Sequence, residues 1–164
     1  MSTVVQGVGK DAEVITNAAG GKQSKAPMAM HLIDPSFLRL WFENSGDIVV
    51  EKIVDFMEWQ EKEYLIEAVY ECYVLLTGSA LNEDKAIIEI AKVLQEGAEK
   101  YEPNNWRLIP QEEHINHALI HYVAHRVGDT QDEHLQHCMT RLMMAFATAK
   151  SENFDYHRYI KKTS

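Results

Sequence analysis

The chain has 164 residues, of which 46% are hydrophobic and 25% charged, values typical of one soluble globular domain. No apolar run reaches the roughly 18 to 20 residues of a membrane-spanning helix, and we expect no secretory signal. The 16 Lys and Arg against 25 Asp and Glu give a net charge of −9, which disfavours nucleic acid as a partner because most of the surface repels phosphate. A small nucleotide is compatible with this charge, since it needs only a local cationic pocket or a divalent ion held by carboxylates.

The cysteines argue against two further classes of protein. Cys72 and Cys138 are the only two, and they lie too far apart in sequence for a metal-binding pair. A disulfide framework or a Cys-rich zinc site is therefore not expected, and we expect the protein in the cytoplasm.

The first 27 residues differ in composition from the rest of the chain. They contain four of the eight glycines and show no sustained periodicity, which predicts a flexible N-terminal arm. Gly20-Gly21-Lys22 is similar to the end of a phosphate-binding loop, but the earlier glycine of that motif is replaced by Thr16. The favoured interpretation of this stretch is a linker.

Helical patterns begin after the arm. Asp34-Pro35 predicts an N-cap and first turn, and the short helix that follows ends at residues 44–46. Apolar residues keep helical spacing over residues 47–77, which fits one long helix or two shorter ones, with Gly78 as the C-terminal stop.

Three further helix boundaries follow from local signals. Asn82 is predicted to cap a helix that ends near Tyr101. Pro110 opens the next helix, which ends at Gly128. Residues 130–133 match a capping box, in which Thr and Glu side chains satisfy the first free amides of the last long helix.

These elements predict an all-α fold. We find no alternating strand signal of useful length and no internal repeat. The predicted architecture is a helical bundle over residues 28–153 with a C-terminal αα-hairpin, preceded by the arm and followed by a polar tail, residues 154–164.

Two polar stripes stand out on the predicted hairpin. At 100° per residue the first stripe is roughly 80° wide. It contains His114, His117, His121 and His125. The second contains His134, His137 and Arg141, and the connecting loop adds Asp129 and Asp132. If the stripes face each other, their imidazoles and carboxylates suit a divalent cation with mixed nitrogen and oxygen ligands. The alternative is a set of solvated or mutually hydrogen-bonded histidines. The zinc-protease motif is absent, because Ala118 and Tyr122 occupy the positions of its glutamate.

A second group of candidate residues lies where the preceding helix ends. It comprises Lys100, Tyr101, Asn105, Trp106 and Arg107. A base can stack on Trp106 or Tyr101, the two cations can bind phosphate oxygens, and Asn105 can read a polar edge. The alternative is an ordinary helix C-terminus with a tryptophan that fills the core.

Long motifs in both regions carry a family resemblance. The strings GAEKYEPNNWR from residue 97, HINHALIHYVAHRVGDTQDEHLQH from residue 114 and RLMMA from residue 141 resemble the phage dATP/dGTP diphosphohydrolase N-terminal family. The opening strings NAAGGKQSK and LIDP are similar to that family as well. The resemblance covers roughly residues 13–38 and 87–147, whereas residues 39–86 look like an inserted or replaced helical segment.

The resemblance implies an activity and a set of residues. The activity is hydrolysis of a deoxypurine triphosphate to monophosphate and pyrophosphate with Mg²⁺ or Mn²⁺, in function related to MazG-type all-α pyrophosphohydrolases. A phage protein of this kind would act in the host cytoplasm. The positions that match are Lys100, Tyr101, Asn105, Trp106, Arg107, His121, Asp129, Asp132, His134 and His137. The tandem carboxylate signature of MazG-type enzymes is not present in clear form.

Three hypotheses follow. In the first, the protein is a metal-dependent hydrolase, with metal ligands drawn from Asp129, Asp132, His121, His134 and His137. All of these except His134 also have catalytic roles, as does Glu99, and Arg141 is among the nucleotide-binding residues. In the second, it binds a nucleotide without chemistry, as a sponge or regulator. In the third, the histidines are structural. The apolar content of residues 37–76 additionally predicts a homo-oligomer.

Overall fold

The computed structural model describes residues 3–149, and within them the fold is an all-α bundle, as predicted. Its helices are α1 (Pro35–Glu43), α2 (Ile48–Trp59), α3 (Glu63–Thr77), α4 (Lys85–Lys100), α5 (Gln111–Arg126) and α6 (His134–Thr148). Two strands, β1 (Val14–Thr16) and β2 (Lys22–Ser24), and two short 3₁₀ turns, Met30–Leu32 and Asn105–Leu108, complete these residues. No helix among them is both long and apolar enough to cross a membrane. The predicted polar tail, 154–164, lies outside the described residues.

Local side-chain caps explain where the first helices begin and end. The Asp34 carboxylate accepts a hydrogen bond from the backbone N–H of Phe37, which confirms the predicted start of α1. Asp47 caps α2 in the same way. The chain then turns at Gln60 (φ 55°), so that the second region forms two helices, and Gly78 ends α3 with φ 73°, as predicted.

Two predicted caps are wrong. Asn82 lies in the left-handed region (φ 57°), and α4 begins three residues later without a side-chain cap. The capping box over residues 130–133 does not form, because Asp129 and Asp132 bind the backbone N–H groups of Gln131 and Glu133. This stabilises a loop, and α6 begins only at His134.

The segment predicted to be inserted or replaced, residues 39–86, is an integral part of the core. Ile53 and Phe56 of α2 and Leu65 of α3 are fully buried, and they belong to one hydrophobic cluster to which all six helices contribute. Each such side chain stabilises the fold by roughly 1.5 to 3 kcal/mol. The segment therefore supports the α5–α6 hairpin from behind.

The N-terminal arm packs on this hairpin. Strands β1 and β2 pair antiparallel, with Val14 opposite Ser24. Val8 is buried against α5. Gly21 has no room for a side chain, because a Cβ atom there would lie 2.9 Å from the carbonyl oxygen of Leu108. Three-residue strands are too short for alternation to be visible, which explains why the sequence shows no strand signal.

Candidate functional site

A cavity of about 870 Å³ lies between the arm, α4, the 105–108 turn and the α5–α6 hairpin. Six cationic side chains line it: Lys10, Lys22, Lys25, Lys100, Arg107 and Arg141. Its acidic lining residues are Glu96, Glu102 and Asp132. The balance of charge in the cavity is thus opposite to that of the whole chain, and it favours an anionic ligand.

Three of the predicted metal ligands converge at one end of the cavity. Among the described residues, His121, Asp132 and His137 each offer one ligand atom, and these atoms lie within 4.8 Å of one another. His137 Nε2 is 3.2 Å from Asp132 Oδ1, and the His121 and His137 rings stack with centroids 5.0 Å apart. Desolvation opposes ionisation of Asp132, but the hydrogen bond and the electrostatic interaction with His137 lower the pKa of the carboxylate to about 2. This cation cluster (His121, Asp132 and His137) has the chemistry of a mixed nitrogen and oxygen site.

Asp129 and His134 lie behind the cation cluster. His134 Nε2 is 2.9 Å from Asp129 Oδ1, and the Nδ1 atoms of His134 and His121 are 3.0 Å apart. The Asp129 carboxylate also accepts bonds from Val5 N–H, at 2.6 Å, and from Gln131. Desolvation opposes ionisation of Asp129, but these donors hold its pKa below the usual range, so it is an acceptor.

The tautomers of the two rings follow from this chain of bonds. Because the Asp129 carboxylate can only accept, we assign the His134 proton to Nε2, which leaves its Nδ1 to accept from His121. His121 then has an unprotonated Nε2. Burial, and next the neighbouring His137, lower the pKa of His121 well below its usual value and favour this neutral form. A neutral imidazole of this kind can bind a cation or accept a proton.

Arg141 places a positive charge on the cavity wall. Its Nη1 donates to Gln23 Oε1 and to His114 Nδ1, both at 3.0 Å. His114 Nε2 donates to the Trp106 carbonyl oxygen at 3.0 Å and its Nδ1 accepts from Arg141, so the ring is neutral, and burial lowers its pKa to about 3. Burial also lowers the pKa of Arg141 to about 10, so it stays cationic at neutral pH. No carboxylate within residues 3–149 forms an ion pair with it.

The predicted nucleotide-binding loop lines the same cavity. The Arg107 guanidinium stacks on the Trp106 ring at 4.3 Å, and the Lys100 amine lies 5.2 Å from the Tyr101 ring centre. The Asn105 amide is engaged on both sides, since it accepts from the Lys22 N–H at 3.0 Å and donates to the Lys22 carbonyl at 2.6 Å. It thereby fixes β2 beside the loop. Glu99 lies exposed on α4 and does not line the cavity.

Some cavity residues were not singled out from the sequence. Gln23, Lys10 and Lys25 lie in the arm, which carries no periodic signal, and only the tertiary fold brings them to α5 and α6. His117 belongs to the predicted histidine stripe but was assigned no role. Its helical spacing from His114 and His121 was the available signal.

Comparisons with known proteins identify a family. No curated protein and no solved structure shows a significant match to the chain. A family model described as dATP/dGTP diphosphohydrolase, N-terminal, matches residues 75–157, a segment that includes the cation cluster, Arg141 and the 100–107 loop but not the arm. Because the match covers half of the chain, the protein belongs to the dATP/dGTP diphosphohydrolase N-terminal family.

Proposed function

We propose that this protein is a metal-dependent hydrolase that cleaves purine (deoxy)nucleoside triphosphates to monophosphate and pyrophosphate. The observation that carries the proposal is the shared cavity, in which a three-ligand cation cluster lies among six cationic side chains. The cation cluster can hold the metal ion that accompanies a triphosphate, and the cationic side chains can bind its phosphate oxygens. Family membership supports the same reaction.

The donor set bears on the choice of ion. Two imidazoles and one carboxylate suit Mn²⁺ better than Mg²⁺, which prefers oxygen ligands. His121, Asp132 and His137 would hold the ion. When bound, it would supply charge neutralisation and a lower pKa for a coordinated water.

The chain's own side chains have separate tasks in this proposal. Asp129 and His134 orient His121 and keep its Nε2 unprotonated, so we treat them as positioning residues rather than ligands. Lys100 and Arg107 bind phosphate oxygens. The Glu99 carboxylate takes no part, since it lies outside the cavity.

The base has an apolar wall available. Leu94 of α4 and two of the three methionines of α6, Met143 and Met144, line the cavity together with Trp106 and Tyr101. A flat purine can pack against this surface, and aromatic stacking contributes to its affinity.

The test is pyrophosphate release from a panel of ribo- and deoxynucleoside triphosphates with Mn²⁺ or Mg²⁺. We expect turnover of purine substrates, fastest with Mn²⁺. Asp132→Asn should abolish turnover without unfolding the protein, because Asp132 is partly exposed at a loop. Glu133→Gln, next in the chain, exposed and outside the cavity, is the matched control. Folded, metal-loaded protein that turns over none of the substrates would contradict the proposal.

The second candidate function is nucleotide binding without hydrolysis. It is favoured by the scarcity of carboxylates, since Asp132 is the only one in the cation cluster. Protein incubated with a triphosphate and then denatured distinguishes the two. Release of the unchanged triphosphate supports binding without hydrolysis, whereas release of a monophosphate supports the hydrolase.

A further inference from the structure

His117 is a buried imidazole whose role the proposed function leaves open. It lies on α5, one turn before His121, with 5% of its surface exposed, and it lines the cavity. It forms no hydrogen bond with any group of residues 3–149, whereas His114, His121 and His134 each form at least one. Its ring nitrogens are not among the fully buried unpaired atoms of the described residues, so they are accessible from the cavity, where a ligand can bind them.

The side chains near His117 favour an anionic ligand for its ring. Arg141, His121 and His114 lie near enough to act on its ring electrostatically. Burial, reinforced by the Arg141 charge, lowers the pKa of His117 to about 2, so the ring is neutral, with one N–H donor.

Arg141 has unmet donors beside this ring. Both of its hydrogen bonds within the described residues use Nη1, which leaves Nε and Nη2 without a protein acceptor. An anionic oxygen can accept from the guanidinium and from the imidazole N–H at once. Phosphate oxygens are acceptors of this kind.

We propose that His117 and Arg141 form a subsite for a phosphoryl group next to the cation cluster, so that the cavity prefers linked phosphates to a single phosphate. The inference rests on the proposed function in that it places a phosphorylated ligand in the cavity. One helical turn, about 5 to 6 Å between Cβ atoms, separates His117 from His121. A ligand with two linked phosphoryl groups can therefore place one at the subsite and the other at the cluster.

The experiment compares inorganic pyrophosphate with orthophosphate by calorimetric titration of the Mn²⁺-loaded protein. We expect wild type to prefer pyrophosphate. His117→Leu should narrow that preference about tenfold or more, which is the size of one hydrogen bond to a charged group. His125→Leu is the matched control, since His125 lies on the same helix but is exposed and outside the cavity.

A structural role for His117 predicts different results. If the ring only supports the fold, His117→Leu lowers the melting temperature, whereas loss of an unpaired imidazole should leave it unchanged or raise it. If the ring is a further metal ligand, Mn²⁺ affinity falls with the substitution. Either result, or an unchanged pyrophosphate preference, overturns the subsite. His117→Asn, which keeps an N–H donor, should retain part of the preference and serves if the leucine variant does not fold.

The subsite and the hydrolase proposal fail separately. A preference for pyrophosphate that depends on His117, without turnover of any nucleotide, supports the subsite and rejects the hydrolase. If wild type turns over a nucleotide, and His117→Leu keeps the wild-type preference for pyrophosphate, the subsite is rejected and the hydrolase proposal stands. A wild-type protein that does not distinguish pyrophosphate from orthophosphate also overturns it.

Discussion

The Nδ1 atoms of His121 and His134 lie 3.0 Å apart, so one ring must donate and the other accept. Asp129 decides which, because its carboxylate accepts a hydrogen bond from Nε2–H of His134 and leaves the His134 Nδ1 unprotonated. The backbone N–H of Val5 binds the other oxygen of Asp129. The N-terminal arm is thereby linked through Asp129 and His134 to a residue of the cation cluster.

Asp129→Asn tests this link. An asparagine keeps one acceptor oxygen and turns an NH₂ group toward donors that the carboxylate satisfied, so we expect a loss of about 1 to 3 kcal/mol in the free energy of unfolding. Mn²⁺ affinity should fall about 10- to 100-fold, as for other groups that orient a metal-binding histidine. Urea denaturation and metal titration measure the two effects. The exposed Asp11, which caps a turn in the same arm, gives the control Asp11→Asn. An unchanged Mn²⁺ affinity would remove Asp129 from the orienting chain.

The stability of the metal-free protein should fall as the pH falls below about 6.5. The pKa values of His114 and His117 are lowered to about 3 and about 2, so the unfolded chain takes up protons that the folded chain rejects. The stability these neutral rings provide is present above the unfolded pKa and is lost between about pH 6.5 and pH 3. Below about pH 5.5, these two groups contribute a slope of about 2.7 kcal/mol per pH unit, and the lowered pKa of His121 adds to it in the same direction.

Urea denaturation with a chelator at pH 7, 6 and 5 measures this slope. His117→Leu should reduce it by about one proton, or about 1.4 kcal/mol per pH unit. A free energy of unfolding that does not change from pH 7 to pH 5 would mean that the two rings are protonated in the folded protein.

Local signals in the sequence predicted much of the helical framework. Asp34 before Pro35 and Gly78 after Thr77 act within one helical turn, so neighbouring residues suffice to identify them. The capping box failed because Asp129 and Asp132 offer the loop competing side-chain bonds, and that competition is settled by the tertiary fold.

The candidate site was predictable in part. Helical periodicity placed His121 and His137 on facing stripes, and the structure brings them together with Asp132. Sequence spacing did not show that Asp132 and Asp129 have different roles. The arm residue that binds Asp129, Val5, lies 124 residues away in the chain. Gln23 was missed for the same reason, since only the folded arm brings it to Arg141.

An exposed apolar surface on α1 predicts a symmetric dimer. Phe37 and Trp41 stack there with ring centres 6.0 Å apart, and Leu40 beside them is 65% exposed. A second copy of the chain offers the same surface, which a two-fold interface pairs with itself. Light scattering at micromolar concentration should give the mass of a dimer, and Leu40→Glu should give a monomer. Leu81→Glu, at a leucine 75% exposed between α3 and α4, should leave the dimer intact. A monomeric wild type would contradict the prediction.

Trp106→Ala separates recognition of the base from recognition of the phosphates. The ring is partly buried and lines the cavity, Arg107 stacks on it, and the His114 ring lies edge-on to it with centroids 6.4 Å apart. If the base stacks on Trp106, the variant should lose about 1 to 3 kcal/mol of nucleotide affinity. Inorganic pyrophosphate has no base, so its affinity for the variant should equal its affinity for wild type. Trp59→Ala, at an exposed tryptophan outside the cavity, is the control. A fall of about 3 to 5 kcal/mol in unfolding free energy would instead show that Trp106 fills the core, and unchanged nucleotide affinity in a stable variant would exclude it from the base site.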